Sequence, residues 1–268
     1  MASTGFPRPR KSLGQHFLTD PGLLARIVDA GEVTQKDTVV EVGPGRGDLT
    51  VALARAAGRV IAVEVDERLR EPLTRRLREY PNVTLRFEDG LRFPYESLPR
   101  PVKVVSNPPY YLATPLLLRL LEAREVVTRI VLTLQKEVAQ RVVAAPGSKA
   151  YGVLSLAVQL YAEPAIAFAI PRGAFHPRPQ VDSAVVVMRV HARPRVPVQD
   201  EGFFFKVVRT AFAQRRKTLR NALRAAFPLS VLEETLEASA VDGARRAETL
   251  SLEEFQRLAA CLARVSRG

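Results

Sequence analysis

The chain is poor in the residues that build disulfide frameworks and metal clusters. Its 268 residues include one cysteine, Cys261, and three histidines, which excludes an internal disulfide bond and disfavours a zinc cluster. No apolar run reaches the roughly 18 residues that a transmembrane helix needs. The basic N-terminus, residues 1–11, is not followed by the apolar stretch of a secretory signal. We therefore expect a cytoplasmic protein that holds no metal and does not enter a membrane.

Acidic residues are scarce relative to basic ones. Forty Lys and Arg residues outnumber 28 Asp and Glu residues, which gives a formal net charge of +12. Charge of this size is informative about partners rather than about fold. A nucleic acid is the first candidate partner and an anionic membrane surface the second, while a basic chain without an anionic partner is the alternative. Hydrophobic residues make up 47% of the chain, which at this length supplies a substantial core and excludes a disordered protein.

Apolar runs alternate with helical patterns between residue 38 and about residue 189. Strands are predicted at 38–43, 60–65, 82–87, 102–106, 129–134, 165–170 and 183–190, with a helix at 48–57. Strands rich in Val and Ile and separated by helices predict an α/β fold around a parallel sheet, which the last two strands can close as an antiparallel pair. A polar, proline-spaced stretch over 191–200 is typical of a linker, and the pattern beyond it is helical. The predicted domains are therefore 1–190 and 191–268.

A glycine-rich loop, Glu41-Val42-Gly43-Pro44-Gly45-Arg46-Gly47, separates the first strand from the helix. Its glycines permit a tight turn and a close approach of ligand to backbone. The G-x-G-x-G spacing differs from the G-x-G-x-x-G of dinucleotide-binding proteins, which disfavours a nicotinamide oxidoreductase. A glycine turn without a ligand is the structural alternative.

Two acidic residues stand at the carboxyl ends of the next two strands. Glu64 closes the second strand and can accept both hydroxyl protons of a ribose, while Asp89 follows the third and can accept from the amino group of adenine. Each acid alone is most often a solvated loop residue. Ligands of open α/β sheets bind at the carboxyl ends of the strands, so three successive signals there predict one shared ligand site.

The motif Ser106-Asn107-Pro108-Pro109-Tyr110 follows the fourth strand and suits an exocyclic amine such as that of adenine. The lone pair of that amine is delocalised into the ring, and two acceptors aimed at its hydrogens would localise it. The Asn107 side-chain oxygen and the Pro108 carbonyl are the predicted acceptors, and the prolines hold them rigid. Tyr110 offers an aromatic face for an unstacked base. A proline turn capped by Asn107 is the alternative.

Two later stretches are assigned to the nucleic acid. Phe175, in the proline-rich loop 175–183, can cover the opposite face of the base, although a core phenylalanine fits the sequence nearly as well. His176 has no assigned role. The segment 203–227 holds seven basic residues and no acid, and a solvated helix face is the alternative interpretation there. The residues predicted to bind phosphates are Arg215, Arg216, Lys217 and Arg220.

These motifs closely resemble the small-subunit (16S) ribosomal RNA adenine N6,N6-dimethyltransferase family. The resemblance runs nearly end to end, from Leu13 to Leu223, and its most specific stretches are Leu134–Ala139, Pro146–Lys149 and Arg215–Asn221. It implies a Rossmann-like class I methyltransferase domain with a small all-helical C-terminal domain that contacts rRNA. It also implies S-adenosyl-L-methionine as methyl donor and dimethylation of two adjacent adenosines near the 3′ end of small-subunit rRNA, late in ribosome assembly.

The resemblance also implies a cofactor site. Its predicted residues, with Gly45 of the glycine loop added, are His16, Leu18, Gly43, Gly45, Glu64, Asp89 and Asn107. Two positions depart from the family pattern, since His16 stands where the family usually has Asn and Pro108 where it usually has Leu. A neutral imidazole can replace the amide, although its charge would change near pH 6.5, and the backbone carbonyl at 108 is retained.

Two related functions compete with this prediction. A large-subunit rRNA adenine N6-methyltransferase of the macrolide-resistance type shares the catalytic motifs, but those enzymes generally have a smaller C-terminal domain than residues 191–268. An assembly factor without catalysis would not need Glu64, Asp89 and Asn107. We expect the partner to be small-subunit rRNA within a pre-30S-like particle, and the protein to be a monomer.

Overall fold

The structure, a computed structural model, describes residues 6–7 and 15–265. The predictions that concern the basic N-terminus and the Leu13–Gly14 part of the family resemblance lie outside the described residues. The strands are β1 (Phe17–Leu18), β2 (Thr38–Val42), β3 (Arg59–Glu64), β4 (Val83–Phe87), β5 (Val102–Ser106), β6 (Val127–Gln135), β7 (Ala162–Ile170), β8 (Phe175–His176) and β9 (Ser183–Val190). The helices are α1 (Pro21–Ala30), α2 (Asp48–Ala56), α3 (Arg70–Arg76), α4 (Tyr110–Glu122), α5 (Lys136–Val143), α6 (Val153–Gln159), α7 (Glu201–Phe212), α8 (Leu219–Leu223), α9 (Leu229–Ser239) and α10 (Leu252–Val265).

The chain divides into two compact units. The first takes in residues up to 139 together with 162–192, and the second takes in 140–161 together with the residues from 193 onward. The second unit therefore includes a segment, 140–161, that the sequence-based boundary at 190 leaves in the first domain. Among the helices of the described residues, none has the length and hydrophobicity needed to cross a membrane.

A seven-stranded sheet with the order β4-β3-β2-β5-β6-β9-β7 forms the centre of the first unit. The strands from β4 to β6 are parallel, and β9 pairs antiparallel with both β6 and β7. The predicted parallel sheet and its antiparallel closing pair are thus confirmed. β7 begins at Ala162 rather than at the predicted 165, because an edge strand tolerates Pro164.

The core of this unit lies on both faces of the parallel strands. β2 and β3 are buried along nearly their whole length, as expected for strands that helices cover on both sides. Ile27 of α1 and Leu53 of α2 are fully buried against Val39 and Val60. Chain order reverses between β2 and β5 in this sheet, which creates a crevice at their carboxyl ends.

A second, two-stranded sheet was not predicted. β1 pairs antiparallel with β8, with Phe17 opposite His176 and Leu18 opposite Phe175. Strands of two residues carry no periodic pattern, so sequence analysis has no signal for them. This pairing fixes residues 17–18 against the loop that contains Phe175.

The second unit is helical in its described residues. The segment 203–227 is not one helix, since α7 ends at Phe212 and α8 begins at Leu219 after a turn. The ring of Phe212 lies 6.1 Å from that of Tyr151 and 5.8 Å from that of Phe255, measured between centroids. These aromatic contacts join the 140–161 segment to α7 and α10.

Candidate cofactor site and basic surface

A cavity of about 280 Å³ opens at the carboxyl ends of β2, β3 and β5, at the crevice where the strand order reverses. Its walls come from residues 15–18, the glycine loop, the residues that follow β3, the 89–91 turn and the start of α4. All the residues predicted for the cofactor line it: His16, Leu18, Gly43, Gly45, Glu64, Asp89 and Asn107. Open α/β sheets bind their ligands at this position.

The glycine loop has the tight geometry that its sequence predicts. Gly43 and Gly45 have φ angles of +72° and +58°, a region that side chains with a Cβ rarely adopt. A Cβ at Gly45 would lie 2.8 Å from Cε1 of Phe17. Glycine at position 45 therefore lets the 15–18 segment approach the loop and form one wall of the cavity.

Glu64 presents a fixed carboxylate to the cavity. Its Oε1 accepts hydrogen bonds from the backbone N–H groups of Val65 and Asp66 at 3.0 and 2.9 Å, and its Oε2 accepts from Gly45 at 3.2 Å. The side chain is buried, and burial raises the pKa of Glu64 above its usual value, while the three N–H groups oppose that shift. The carboxylate is thus preorganised to accept from a ligand diol.

Asp89 lies at the same edge on a turn of its own. The N–H of Leu91 donates to its Oδ1 at 2.9 Å, which fixes the orientation of the carboxylate. Its Oδ2 lies 3.9 Å from Nε of the highly exposed Arg92. The side chain of Asp89 is 44% exposed, so its oxygens remain accessible to a ligand.

Glu41 is a site residue to which sequence analysis assigned no role. It lies within β2, lines the cavity and is 1% exposed. The Thr50 hydroxyl donates to its Oε2 at 2.6 Å, and burial raises the pKa of Glu41 to about 8. A glutamate between valines in a buried strand was the available signal, because glutamate is almost never fully buried without a partner.

The cavity is acidic although the protein is strongly basic. Its described lining includes four acidic side chains, Glu41, Asp48, Glu64 and Asp89, and no Lys or Arg. Glu41 keeps its proton near pH 7, because burial raises its pKa to about 8, so the negative charge of the lining comes from the other three. Arg76, which does not line the cavity, forms an ion pair with Asp48, with its Nη2 2.7 Å from Oδ1 of the carboxylate. A cavity with this balance favours a cationic ligand over an anionic one.

Asn107 belongs to the opposite wall, and Tyr110, three residues further on, does not line the cavity. Asn107 is half-buried and lines the cavity, and no described residue forms a hydrogen bond with its side chain. The Tyr110 hydroxyl lies 2.7 Å from the Ser183 hydroxyl oxygen, and its ring lies 5.5 Å from that of His16 between centroids. Pro108 is buried and does not line the cavity, so the role of its carbonyl as the second acceptor stays a prediction.

His16 is held by the proline-rich loop. Its Nδ1 lies 2.7 Å from the carbonyl oxygen of Pro177, which can only accept, so Nδ1 carries the proton and Nε2 of the neutral ring remains an acceptor. His16 thus lines the cavity with a defined tautomer and can replace an amide oxygen as acceptor.

Phe175 is packed in the core of the first unit. Its ring is 4% exposed and belongs to the same core cluster as Leu18 and Leu24, and it does not line the cavity. This burial agrees with the core alternative, and a contact of the ring with a base stays a prediction. The loop sequence did not reveal this, because the β1–β8 pairing that buries Phe175 has no sequence signal.

The four predicted phosphate-binding residues are all exposed in the turn between α7 and α8 or at the start of α8. They differ in their partners. Arg215 donates to the Lys149 carbonyl at 2.8 Å and pairs with Glu248 at 3.1 Å, and Arg220 pairs with Glu233 at 3.2 Å. The described residues provide no ion-pair partner for Arg216 or Lys217. Arg216 and Lys217 are therefore the more available cations.

The sheet order, the glycine loop and the acidic cavity define a Rossmann-like class I methyltransferase domain, as predicted. The chain belongs to the ribosomal RNA adenine dimethylase family, whose sequence model matches residues 7–264. The family resemblance is thereby confirmed over nearly the whole chain.

Individual relatives agree with this family. The chain is 46% identical to the ribosomal RNA small subunit methyltransferase A of Moorella thermoacetica, over 92% of this chain and 90% of that protein. It is 46% identical to the protein of the same name from Latilactobacillus sakei, over 94% and 89%.

Among solved structures, the chain is similar to a dimethyladenosine transferase from Plasmodium falciparum, with a TM-score of 0.81, 26% identity, and coverage of 94% of this chain and 98% of that one. It is also similar to the 23S rRNA methyltransferase ErmE, with a TM-score of 0.73, 26% identity, and coverage of 92% and 99%.

Proposed function

We propose that the protein transfers methyl groups from S-adenosyl-L-methionine to N6 of two adjacent adenosines near the 3′ end of small-subunit rRNA. The observation that carries this proposal is the acidic cavity at the switch point of the sheet, which brings Glu64, Asp89 and Asn107 together. Each product nucleoside is N6,N6-dimethyladenosine. The reaction belongs to ribosome assembly and needs no metal.

The cavity chemistry fits the methyl donor. The positive sulfonium and ammonium groups of S-adenosylmethionine outweigh its single carboxylate, and the lining offers carboxylates without a Lys or Arg among its described residues. The pyrophosphate of a dinucleotide would meet the same carboxylates with unfavourable charge, which argues against an oxidoreductase. When bound, the donor supplies an electrophilic methyl group.

Individual residues suit distinct parts of the donor. The fixed carboxylate of Glu64 accepts from the ribose hydroxyl groups, and Asp89 accepts from the adenine amine. His16 and the glycine loop border the remaining part of the cavity, where the methionine end fits.

Asn107 and the Pro108 carbonyl supply the acceptor chemistry. Both oxygens accept from the target amine, which localises its lone pair toward the methyl group. The new N–C bond forms as the S–C bond breaks, and the amine then releases its extra proton to solvent, so no side-chain base is required. Tyr110, held through its hydroxyl by Ser183, stacks on the unpaired base.

The basic turn between α7 and α8 provides the contact to RNA phosphates. Arg216 and Lys217 are exposed and lack ion-pair partners among the described residues, whereas Arg215 and Arg220 combine this role with contacts inside the second unit. The substrate we propose is rRNA within an assembling, pre-30S-like particle, and the enzyme acts as a monomer.

A large-subunit activity is the second candidate, and the similarity to ErmE is the observation that favours it. Two observations support the small-subunit assignment instead. The relatives at 46% identity carry the small-subunit name, and the structural similarity to the dimethyladenosine transferase is greater, at 0.81 against 0.73.

Nucleoside mass spectrometry tests this function. The enzyme is incubated with labelled donor and either undermethylated small subunits or isolated large subunits, with Asn107→Ala as the control protein. We expect labelled N6,N6-dimethyladenosine only in small-subunit RNA and only with the wild-type enzyme. Label in large-subunit RNA would support the second candidate, and binding to small subunits without any label would support an assembly factor.

A further inference from the structure

We infer that Tyr111 forms one wall of the adenine-binding part of the donor site, where its ring stacks on the adenine of S-adenosylmethionine opposite Val65. This inference rests on the proposed function and adds a positioning residue to it. Sequence analysis assigned no role to either residue.

The first observation is exposure at the cavity. Large apolar side chains that are exposed in the described residues are few: Val65, Tyr111, Leu118, Ile166, Val181 and Leu229. Val65 is 54% exposed and Tyr111 is 55% exposed, and only these two of the set line the cavity. Exposed apolar side chains that line a concave site are typical of ligand-binding positions, because a ligand that covers them removes apolar surface from water.

The second observation is where the chain places the two side chains. Val65 directly follows β3, and Tyr111 is the second residue of α4, which follows β5. β3 and β5 are the neighbours of β2 on its two sides. The two side chains therefore border the cavity from opposite sides of the glycine loop, as two walls around a flat ring would.

The third observation is the proximity of both ligand-binding carboxylates. Burial first, and then the charges of Glu64 and Asp89, raise the pKa of the Tyr111 hydroxyl above its usual value. Tyr111 is thus neutral near pH 7 and within electrostatic range of the groups assigned to the ribose and to the adenine amine. A purine held by those two carboxylates comes to lie beside the ring of Tyr111.

Tyr110 and Tyr111 serve different ligands in this arrangement. Consecutive residues of a helix point about 100° apart, and only Tyr111 lines the cavity. The Tyr110 hydroxyl is held by Ser183, whereas no described residue forms a hydrogen bond with the Tyr111 hydroxyl. The Tyr111 ring can therefore adjust to the plane of the adenine.

Fluorescence provides a direct test because the chain contains no tryptophan. Tyr111→Trp introduces a single reporter, which is titrated with S-adenosylhomocysteine. We expect saturable quenching with the same Kd that calorimetry gives for the variant. Leu118→Trp is the matched control: it lies two turns further along α4, is 39% exposed and is outside the cavity lining. Its emission is expected not to change.

Affinity provides the second measurement. Tyr111→Ala is expected to weaken S-adenosylhomocysteine binding by about tenfold or more, as loss of a base-stacking ring does, and Tyr111→Phe and Leu118→Ala are expected to bind like the wild type. Equal binding by Tyr111→Ala and wild type, or Tyr111→Trp quenching by RNA but not by S-adenosylhomocysteine, would overturn the inference alone. A wild-type protein that does not bind S-adenosylhomocysteine would overturn the proposed function as well.

Discussion

The Glu41 carboxyl and the Thr50 hydroxyl form a hydrogen bond of 2.6 Å inside the first unit, with the Thr50 oxygen as donor. The pair joins β2 to the first turn of α2 directly beneath the glycine loop. Because the carboxyl is fully buried, its proton is retained to a pH far above that of an exposed glutamate.

We therefore predict a stability change with pH that depends on Glu41. Its pKa is raised from 4.5 to about 8 in the folded state, so the protonated group contributes stability that is complete below about pH 4.5 and is lost as the pH rises through about 8. Glu41→Gln keeps an acceptor for Thr50 and removes the titration. Urea unfolding should show the two proteins diverging as the pH rises, with wild type weaker by on the order of a few kcal/mol at pH 8. Parallel pH profiles would contradict this.

The Gly45→Ala substitution should displace the 15–18 segment. The new methyl group would lie 2.8 Å from the Phe17 ring at a φ of +58°, so both strain and a clash are expected. Gly147→Ala is the control for strain alone, since its φ is +84° and no atom lies within 4 Å of the added carbon. We expect the strain to lower the free energy of unfolding by about 1 kcal/mol in each variant, the clash to make the loss larger in Gly45→Ala, and only Gly45→Ala to weaken donor binding in calorimetry. Equal donor affinities would show that the cavity wall does not depend on this contact.

The Asn107→Ala substitution should abolish methyl transfer while leaving RNA binding largely intact. The side chain supplies one of the two proposed acceptors, and loss of one preorganised group of this kind typically lowers kcat by about 100-fold or more. Single-turnover assays with undermethylated small subunits measure the rate, and filter binding measures the RNA affinity. The exposed Asn221 on α8 gives the control variant, Asn221→Ala. Unchanged turnover in Asn107→Ala would refute the two-acceptor account.

The four predicted phosphate-binding residues are expected to form two pairs that differ in their contribution to RNA binding. Arg216→Gln with Lys217→Gln should weaken RNA binding and reduce the slope of log K against log salt by about one to two, because each lost phosphate contact removes about 0.9. Arg215→Gln with Arg220→Gln removes the same charge but also the ion pairs with Glu248 and Glu233.

For this second pair we expect a smaller change of salt slope and a loss of up to about 1 kcal/mol per ion pair in unfolding free energy. The measurements are RNA titrations at several salt concentrations and urea unfolding of each double variant. If the two double variants gave identical salt slopes, the two pairs would not differ in their contribution to RNA binding. If both slopes equalled that of the wild type, these four residues would not be part of the RNA-binding site.

Sequence analysis located most of the fold and of the cavity because the signals were local. β5 and β9 have the predicted bounds, since runs of Val between polar ends define a buried strand. The positions of Glu64 and Asp89 at the cavity could be predicted because Glu64 ends a strand and Asp89 closely follows one. The burial of Phe175 could not be predicted, because it depends on pairing with β1, which is distant in sequence. Glu41 was given no role, because its environment depends on the burial of β2 and on the orientation of Thr50 in the next helix.

The composition of the second unit has a consequence for gene truncation. Tyr151, which is almost fully buried, packs against Phe212, although the two codons are separated by the whole β7–β9 region. A stop codon after residue 190 would therefore not release a clean catalytic fragment. It would leave Tyr151 and the apolar residues of α6 uncovered, and the shortened product would be prone to aggregate unless 140–161 were replaced by a polar connection.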